Sequence, residues 1–154
     1  MTGAEPHRYV ATCSWRGSTA QGYEHYDRRH TAVVPAAGAT ITLSSDSAFR
    51  GDPALLNPEQ LLVLAAASCQ LLSFLAVASR ARLDVLAYDD TAEGVMPDEP
   101  RTSVTEIVLR PRIAVAAGVD AERVTHLCDV AHRECFIANS LRTEIRIEPT
   151  IVRG

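Results

Sequence analysis

Hydrophobic and polar positions along the chain divide it into a strand-rich first third and two helical blocks separated by strands. Residues 8–15 alternate, with Tyr9, Ala11, Cys13 and Trp15 on one face, and read as a first strand that packs Cys13 into the core. Gly17 and Gly22 punctuate turns, and Tyr23–Tyr26, Thr31–Pro35 and Ala39–Leu43 are short strand candidates. Residues 44–56 are rich in Ser, Asp, Gly and Pro and read as a loop. A helix is then announced by Asn57 as N-cap, Pro58 at the first helical position, Glu59 beside the positive end of the dipole and Gln60 completing a capping box. It is expected to run to about Arg82. Apolar residues occupy almost its whole circumference, which predicts burial on more than one side.

Two long strands, 83–96 and 102–116, follow as an antiparallel hairpin around the turn at 97–101. Pro111 inside the second predicts a bulge or an edge position. Asp120 caps a second helix whose stripe of Val124, Leu127, Cys128, Ala131 and Cys135 advances in steps of three and four. Residues 141–152, with Ile145 and Ile147 alternating against Arg146 and Glu148, close the chain as one strand. The order βββ-α-ββ-α-β predicts an α+β fold, in a single domain over residues 1–154.

Composition narrows the function. The chain has 154 residues, 47% of them hydrophobic and 22% charged, with a net charge of −4. The 15 basic residues are all Arg and are scattered, so no basic stripe for nucleic acid emerges. The run 61–78 has the length of a marginal membrane span, but Ser68, Gln70, Ser73 and many alanines make a buried core or interface helix the expectation, with no membrane partner. The N-terminal stretch lacks an apolar signal core, so a reducing cytoplasmic compartment is expected, where four cysteines read as free, catalytic or metal-binding thiols.

Cys69 and Cys135 stand out because each lies within a helical pattern. A free cysteine is only a few per cent ionised at neutral pH. Cys69 is about a dozen residues into its helix, beyond the reach of that helix's dipole. A reactive thiolate there therefore calls for a cation from elsewhere in the fold. Cys128 and Cys135, seven apart on one helix, are separated by about 10.5 Å of rise, more than the roughly 7 Å a disulfide spans. Cys69 must therefore pair across helices. A rival reading is a structural metal site on Cys128, His132 and Cys135, at i, i+4 and i+7, completed by Cys69 or His126.

The blocks Asn57-Pro58-Glu59-Gln60-Leu61 … Ala67-Ser68-Cys69 and Cys135-Phe136-Ile137-Ala138-Asn139-Ser140-Leu141 together resemble the OsmC / organic hydroperoxide resistance family. Residues 89–96 and Val108-Leu109-Arg110-Pro111 resemble one OsmC-like branch. The resemblance implies an intertwined homodimer with antiparallel sheets wrapped around two long central helices. It also implies a cysteine-based peroxide reductase acting in oxidative stress defence, without cofactor or metal. In it Cys69 attacks an organic hydroperoxide, Cys135 resolves the product as a disulfide, and a lipoyl-type or other dithiol acts as reductant. It implies that Glu59 and an arginine set up the thiolate. Glu59 lies about 15 Å of helix from Cys69, so the partner subunit would have to supply it. At the family's usual arginine position this chain has Gln21. The element Tyr26-Asp27-Arg28-Arg29-His30 resembles the Tyr-x-Arg-x-His of the same branch, which assigns the role to Arg28, turns Arg29 to the opposite face and makes His30 a second donor. An OsmC-like protein that binds a ligand without turnover is the remaining alternative.

Overall fold

The computed structural model describes residues 5–98 and 102–154. By its contacts the chain forms two compact units, one ending at Pro58 and one from Glu59 to Gly154.

The first unit carries a three-stranded antiparallel sheet, β1 (Thr12–Ser14), β2 (His30–Val34) and β3 (Ala39–Leu43), in the order β1-β2-β3. β2 and β3 are joined by the single turn Pro35–Ala37, which ends on Gly38 at φ 61°, a left-handed conformation that suits glycine. Two expectations fail here. Residues 23–26 form turns, and β1 shrinks to three exposed residues with Cys13 exposed among them. Residues 8–11 alternate in sequence but have no pairing partner among the described residues, and alternation without a partner does not make a strand.

The second unit begins with α1 (Pro58–Arg80), at the proline the sequence marked. Its end is a Schellman turn: Leu83 N–H donates to Ala78 O and Arg82 N–H to Ser79 O, with Arg82 in the left-handed region at φ 54°. Buried Leu83 packs in one cluster with Ala78, the apolar contact that accompanies this motif, so the helix stops two residues before the expected Arg82. β4 (Val85–Val95) and β5 (Glu106–Val115) form the expected antiparallel hairpin, its turn lying partly outside the described residues. Gly94 on β4 meets α1 closely, because a Cβ there would come within 2.5 Å of Val63 Cγ2.

The C-terminal strand is two strands. β6 (Glu144–Ile147) and β7 (Thr150–Arg153) break at Glu148-Pro149 and both run parallel to β5, so this sheet is mixed. β6 pairs with residues 106–109 of β5 and β7 with 112–115. Pro111 falls in the gap between them, where its missing N–H breaks no ladder. It thus sits in a central strand, and the register shift of this sheet lies at Val85/Ala87 instead.

Two apolar clusters hold α1 to the sheet. One joins Phe74, Val77 and Ala78 to Ile113, Val115 and the inner face of α2 (Ala121–Glu134): Val124, Leu127, Cys128 and Ala131. The other joins Ala66 to Ile107 and Leu109. Phe74 is fully buried, and truncating such a side chain to Ala costs about 3–5 kcal/mol. Between the clusters, buried Gln70 donates through Nε2 to the Cys128 carbonyl at 3.1 Å, tying α1 to α2. The opposite face of α1 keeps Leu64, Leu72 and Leu75 exposed. By length and composition α1 is apolar enough to cross a membrane, but Ala66, Gln70, Phe74, Val77 and Ala78 are buried within its own unit.

Candidate active site

The site is made where α2 ends. The apolar stripe of α2 runs on to Cys135 in sequence, but the backbone leaves the helix there: Cys135, at φ −71° and ψ 113°, is both the C-cap of α2 and the N-cap of a short helix, α3 (Phe136–Ser140). This corrects the expectation that Cys135 lies within the second helix. Its sulfur replaces the usual oxygen of an N-cap, accepting from Ala138 N–H at 3.4 Å. The break directs the first amides of α3 back toward α1. Ile137 N–H donates to Cys69 Sγ at 3.5 Å, so successive amides of one turn hold the two sulfurs.

These contacts give the two thiols different acidities. Burial alone would raise Cys69. Hydrogen bonds from the Cys135 thiol, Ile137 N–H, the Ser73 hydroxyl and Phe136 N–H outweigh it, and the thiol is held below its ordinary value. Cys135 is pushed up to about 11, first by burial and then by its hydrogen bond to Cys69, so it stays a protonated donor. Main-chain donors from a helix start that leaves no trace in the periodicity thus act on Cys69. Around Cys69 lies an open groove of about 460 Å³, with Ala65, Leu72, Ala76 and Phe136 as apolar walls and the Arg80–Glu134 ion pair at one end. Phe136 is 81% exposed and offers this groove an unsatisfied aromatic face.

The other cysteines differ. Cys128 is core, its thiol driven up to about 12 by burial and then by the charge of Asp129. The proposed metal trio does not assemble. With Cys135 turned out of the α2 stripe and Cys128 facing the core, no group of three His, Cys, Asp or Glu side chains placed to hold a metal occurs among the described residues.

Of the remaining candidates, Glu59 is half-buried in the first turn of α1, and the helix continues unbroken past Cys69, so the two do not meet within one chain. Arg28 belongs to the first unit, just before β2. Its guanidinium lies over the rings of Tyr26 (3.8 Å) and Tyr23 (4.6 Å). Its terminal nitrogens donate to the carbonyls of the same two residues, and its buried Nε has no partner among the described residues. Arg28 borders a pocket of about 340 Å³ with Trp15, Thr19, His30, Ser44 and Ser45. Arg29 instead pairs with Asp52 at 3.1 Å, and Arg16 donates to the Trp15 carbonyl. His30 Nδ1 donates to the Arg28 carbonyl at 2.9 Å.

The family model for OsmC-like proteins matches residues 51–150, which span both cysteines. The chain belongs to the OsmC-like family. An OsmC-like protein of unknown function from Vibrio cholerae is 30% identical, with a TM-score of 0.83 over 94% of this chain and 100% of that one. An organic hydroperoxide resistance protein from Elizabethkingia anophelis, crystallised with thiocyanate, shares the fold at 18% identity and a TM-score of 0.72, covering 99% and 100% of the two chains. The organic hydroperoxide resistance protein OsmC from Legionella pneumophila does so at 16% identity and 0.68, covering 94% and 96%. No curated protein matches the sequence. The α+β fold expected from the residue pattern is that of these OsmC-like structures.

Proposed function

We propose that this protein is a thiol peroxidase that reduces organic hydroperoxides, with Cys69 as the attacking and Cys135 as the resolving thiol. The observation that supports the reading is the unequal pair: one sulfur that accepts from Ile137 N–H and is held below its ordinary value, beside a buried thiol that caps the same turn and stays protonated. The Cys69 thiolate attacks the terminal oxygen of ROOH. An S–O bond forms, the O–O bond breaks, and the alkoxide leaves as ROH with the proton from Cys135. The Cys135 thiolate so produced attacks the sulfur of the Cys69 sulfenic acid, forming S–S and releasing hydroxide, which takes a proton to become water. A dithiol reductant, of the lipoyl type in this reading, restores both thiols in the reducing cytosol. Names of fold neighbours that refer to organic hydroperoxide resistance support the substrate class, as do the apolar walls of the groove.

In the same reading Arg28 supplies the positive charge that activates Cys69, through an Nε with no partner among the described residues, and Glu59 is a positioning carboxylate contributed by a second subunit. The exposed Leu64, Leu72 and Leu75 on one face of α1 support a homodimer, since a stripe of that kind marks an interface. Elution as a compact 16.7 kDa monomer at micromolar concentration would contradict it.

Turnover of cumene or tert-butyl hydroperoxide with a dithiol tests the whole proposal. Wild type consumes peroxide and Cys69→Ser does not, because one atom changes while the fold is kept. A Cys69→Ser protein with more than about a tenth of wild-type activity would refute the assignment, by a margin of roughly 1.4 kcal/mol or less in the barrier. A wild type with no turnover at all would leave the ligand-binding alternative.

A further inference from the structure

α3 has five residues, and none of them is buried. A helix of that length does not hold itself in water, because the cost of nucleating a turn is not recovered over so few hydrogen bonds. α2, by contrast, is fixed by Val124, Leu127, Cys128 and Ala131 in the core. What holds α3 is local. Ile137 rests against the cluster of Ala66, Ile107 and Leu109, and the Asn139 side chain donates to the Arg133 carbonyl at 3.1 Å. At the leading end the acceptors are sulfur atoms: Cys69 Sγ for Ile137 N–H at 3.5 Å, and Cys135 Sγ for Ala138 N–H at 3.4 Å. The start of this helix is therefore tied to the two atoms whose bonding the proposed reaction changes.

We infer that α3 is a redox-sensitive latch, closed while Cys69 and Cys135 are separate thiols and loosened when their sulfurs join. The inference rests on the reading of this pair as the redox couple and adds a structural consequence to it. In the oxidation the two thiols lose two electrons and two protons. The hydroperoxide takes them up as alcohol and water, and one S–S bond replaces two S–H bonds. A disulfide holds its sulfurs about 2.05 Å apart, whereas the two amides reach them separately from adjacent residues of one turn. To bond across to α1, Cys135 Sγ turns away from Ala138 N–H. The Cys69 sulfur can no longer carry charge and becomes a weaker acceptor for Ile137 N–H. Two donors at the start of α3 are orphaned together, which leaves the contacts of Ile137 and Asn139 to carry the helix. Phe136 and Ile137 both line the groove around Cys69. Loosening of α3 moves this wall and opens the disulfide to the dithiol that reduces it. Reduction restores both acceptors and closes the latch.

Amide hydrogen exchange in the full-length protein, resolved by mass spectrometry, reads the latch directly. Peptides that begin before Cys135 and span α3 are compared with peptides from α2. The protein is reduced, oxidised with cumene hydroperoxide, or oxidised with diamide, which joins neighbouring thiols without a peroxide. Exchange across α3 rises roughly tenfold in either disulfide form, as expected for the loss of a hydrogen bond. It returns to the reduced rate with dithiothreitol, and α2 does not change. Two variants kept reduced separate capping from the disulfide itself. Cys135→Ala removes the acceptor and exchanges severalfold faster than wild type, whereas Cys135→Ser, whose oxygen is a good N-cap, stays near wild type. An α3 that exchanges at one rate in the reduced and disulfide forms overturns the inference, as does a Cys135→Ala protein with wild-type protection. Failure of both oxidants to join the two cysteines overturns it as well. A bridge that forms with diamide but not with hydroperoxide, and that loosens α3, would sink the peroxidase reading and leave the latch standing.

Discussion

Two cysteines seven residues apart, Cys128 and Cys135, share one sequence stripe and have opposite surroundings. Both are buried to within 1% of their surface. Cys128 stays in regular helix, where the amides are spent on the helix ladder, and the charge of Asp129 adds to the effect of burial. Cys135 stands at a break, where the first amides of α3 have no carbonyl one turn back to satisfy them. The orphaned N–H groups of that break go to two sulfurs. Equal burial thus gives an inert thiol in one place and a paired, graded site in the other. The availability of donors decides the chemistry.

The largest expected effect separates the two directly. Cys135→Ser should reduce one equivalent of hydroperoxide per subunit and then stop, leaving Cys69 as a sulfenic acid that dimedone traps. Cys128→Ala should turn over at close to the wild-type rate. Stopped-flow and steady-state assays on the same preparations check both, and matching losses in the two variants would erase the distinction between them.

A smaller effect is expected at Arg28. Arg28→Ala should raise the Cys69 titration and lower peroxidase activity about tenfold, a loss of roughly 1.4 kcal/mol in the barrier. Arg29, tied to Asp52, and Arg16, tied to Trp15, should tolerate Ala with little change. Similar small losses for all three arginines would mean that the main-chain donors of α3 suffice without a cation.

The smallest effect is on stability. Burial raises the Cys128 thiol to about 12, whereas in the unfolded chain it titrates near 8.5. Below that lower value both states hold the proton and Cys128 does not change the balance. As pH rises from about 8.5 toward 12 the unfolded chain loses its proton first, so stability falls. Cys128→Ala should flatten this alkaline decline in thermal unfolding, although not abolish it, because Tyr88 is raised by burial in the same direction. An identical alkaline slope in the variant would show that Cys128 is not sealed from water.

How much of this was legible in the sequence depends on what kind of signal each feature leaves. The start of α1 was, because Asn57-Pro58-Glu59 is local chemistry, and so was the β4–β5 hairpin, whose strands are long. The two C-terminal strands were read as one, although Pro149 lay in plain view, since the alternation of Ile145 and Ile147 outweighed it. The end of α1 fell short of Arg82 because a non-glycine residue in the left-handed conformation carries no compositional mark. At the candidate site, Cys69 and Cys135 stand out by their sequence contexts, whereas the source of the hydrogen bonds around them leaves no such mark. A helix period continues unbroken through Ala131 and Cys135, and no residue type announces that Cys135 leaves it.

Which sulfurs join when peroxide arrives decides the roles of Cys69 and Cys135. Reduced protein treated with one equivalent of cumene hydroperoxide, digested without reductant and mapped by mass spectrometry, should yield a Cys69–Cys135 disulfide, with Cys13 and Cys128 recovered as alkylated thiols after denaturation. A bridge that contains Cys128, or a Cys69 driven to sulfinic acid with Cys135 still free, would contradict it.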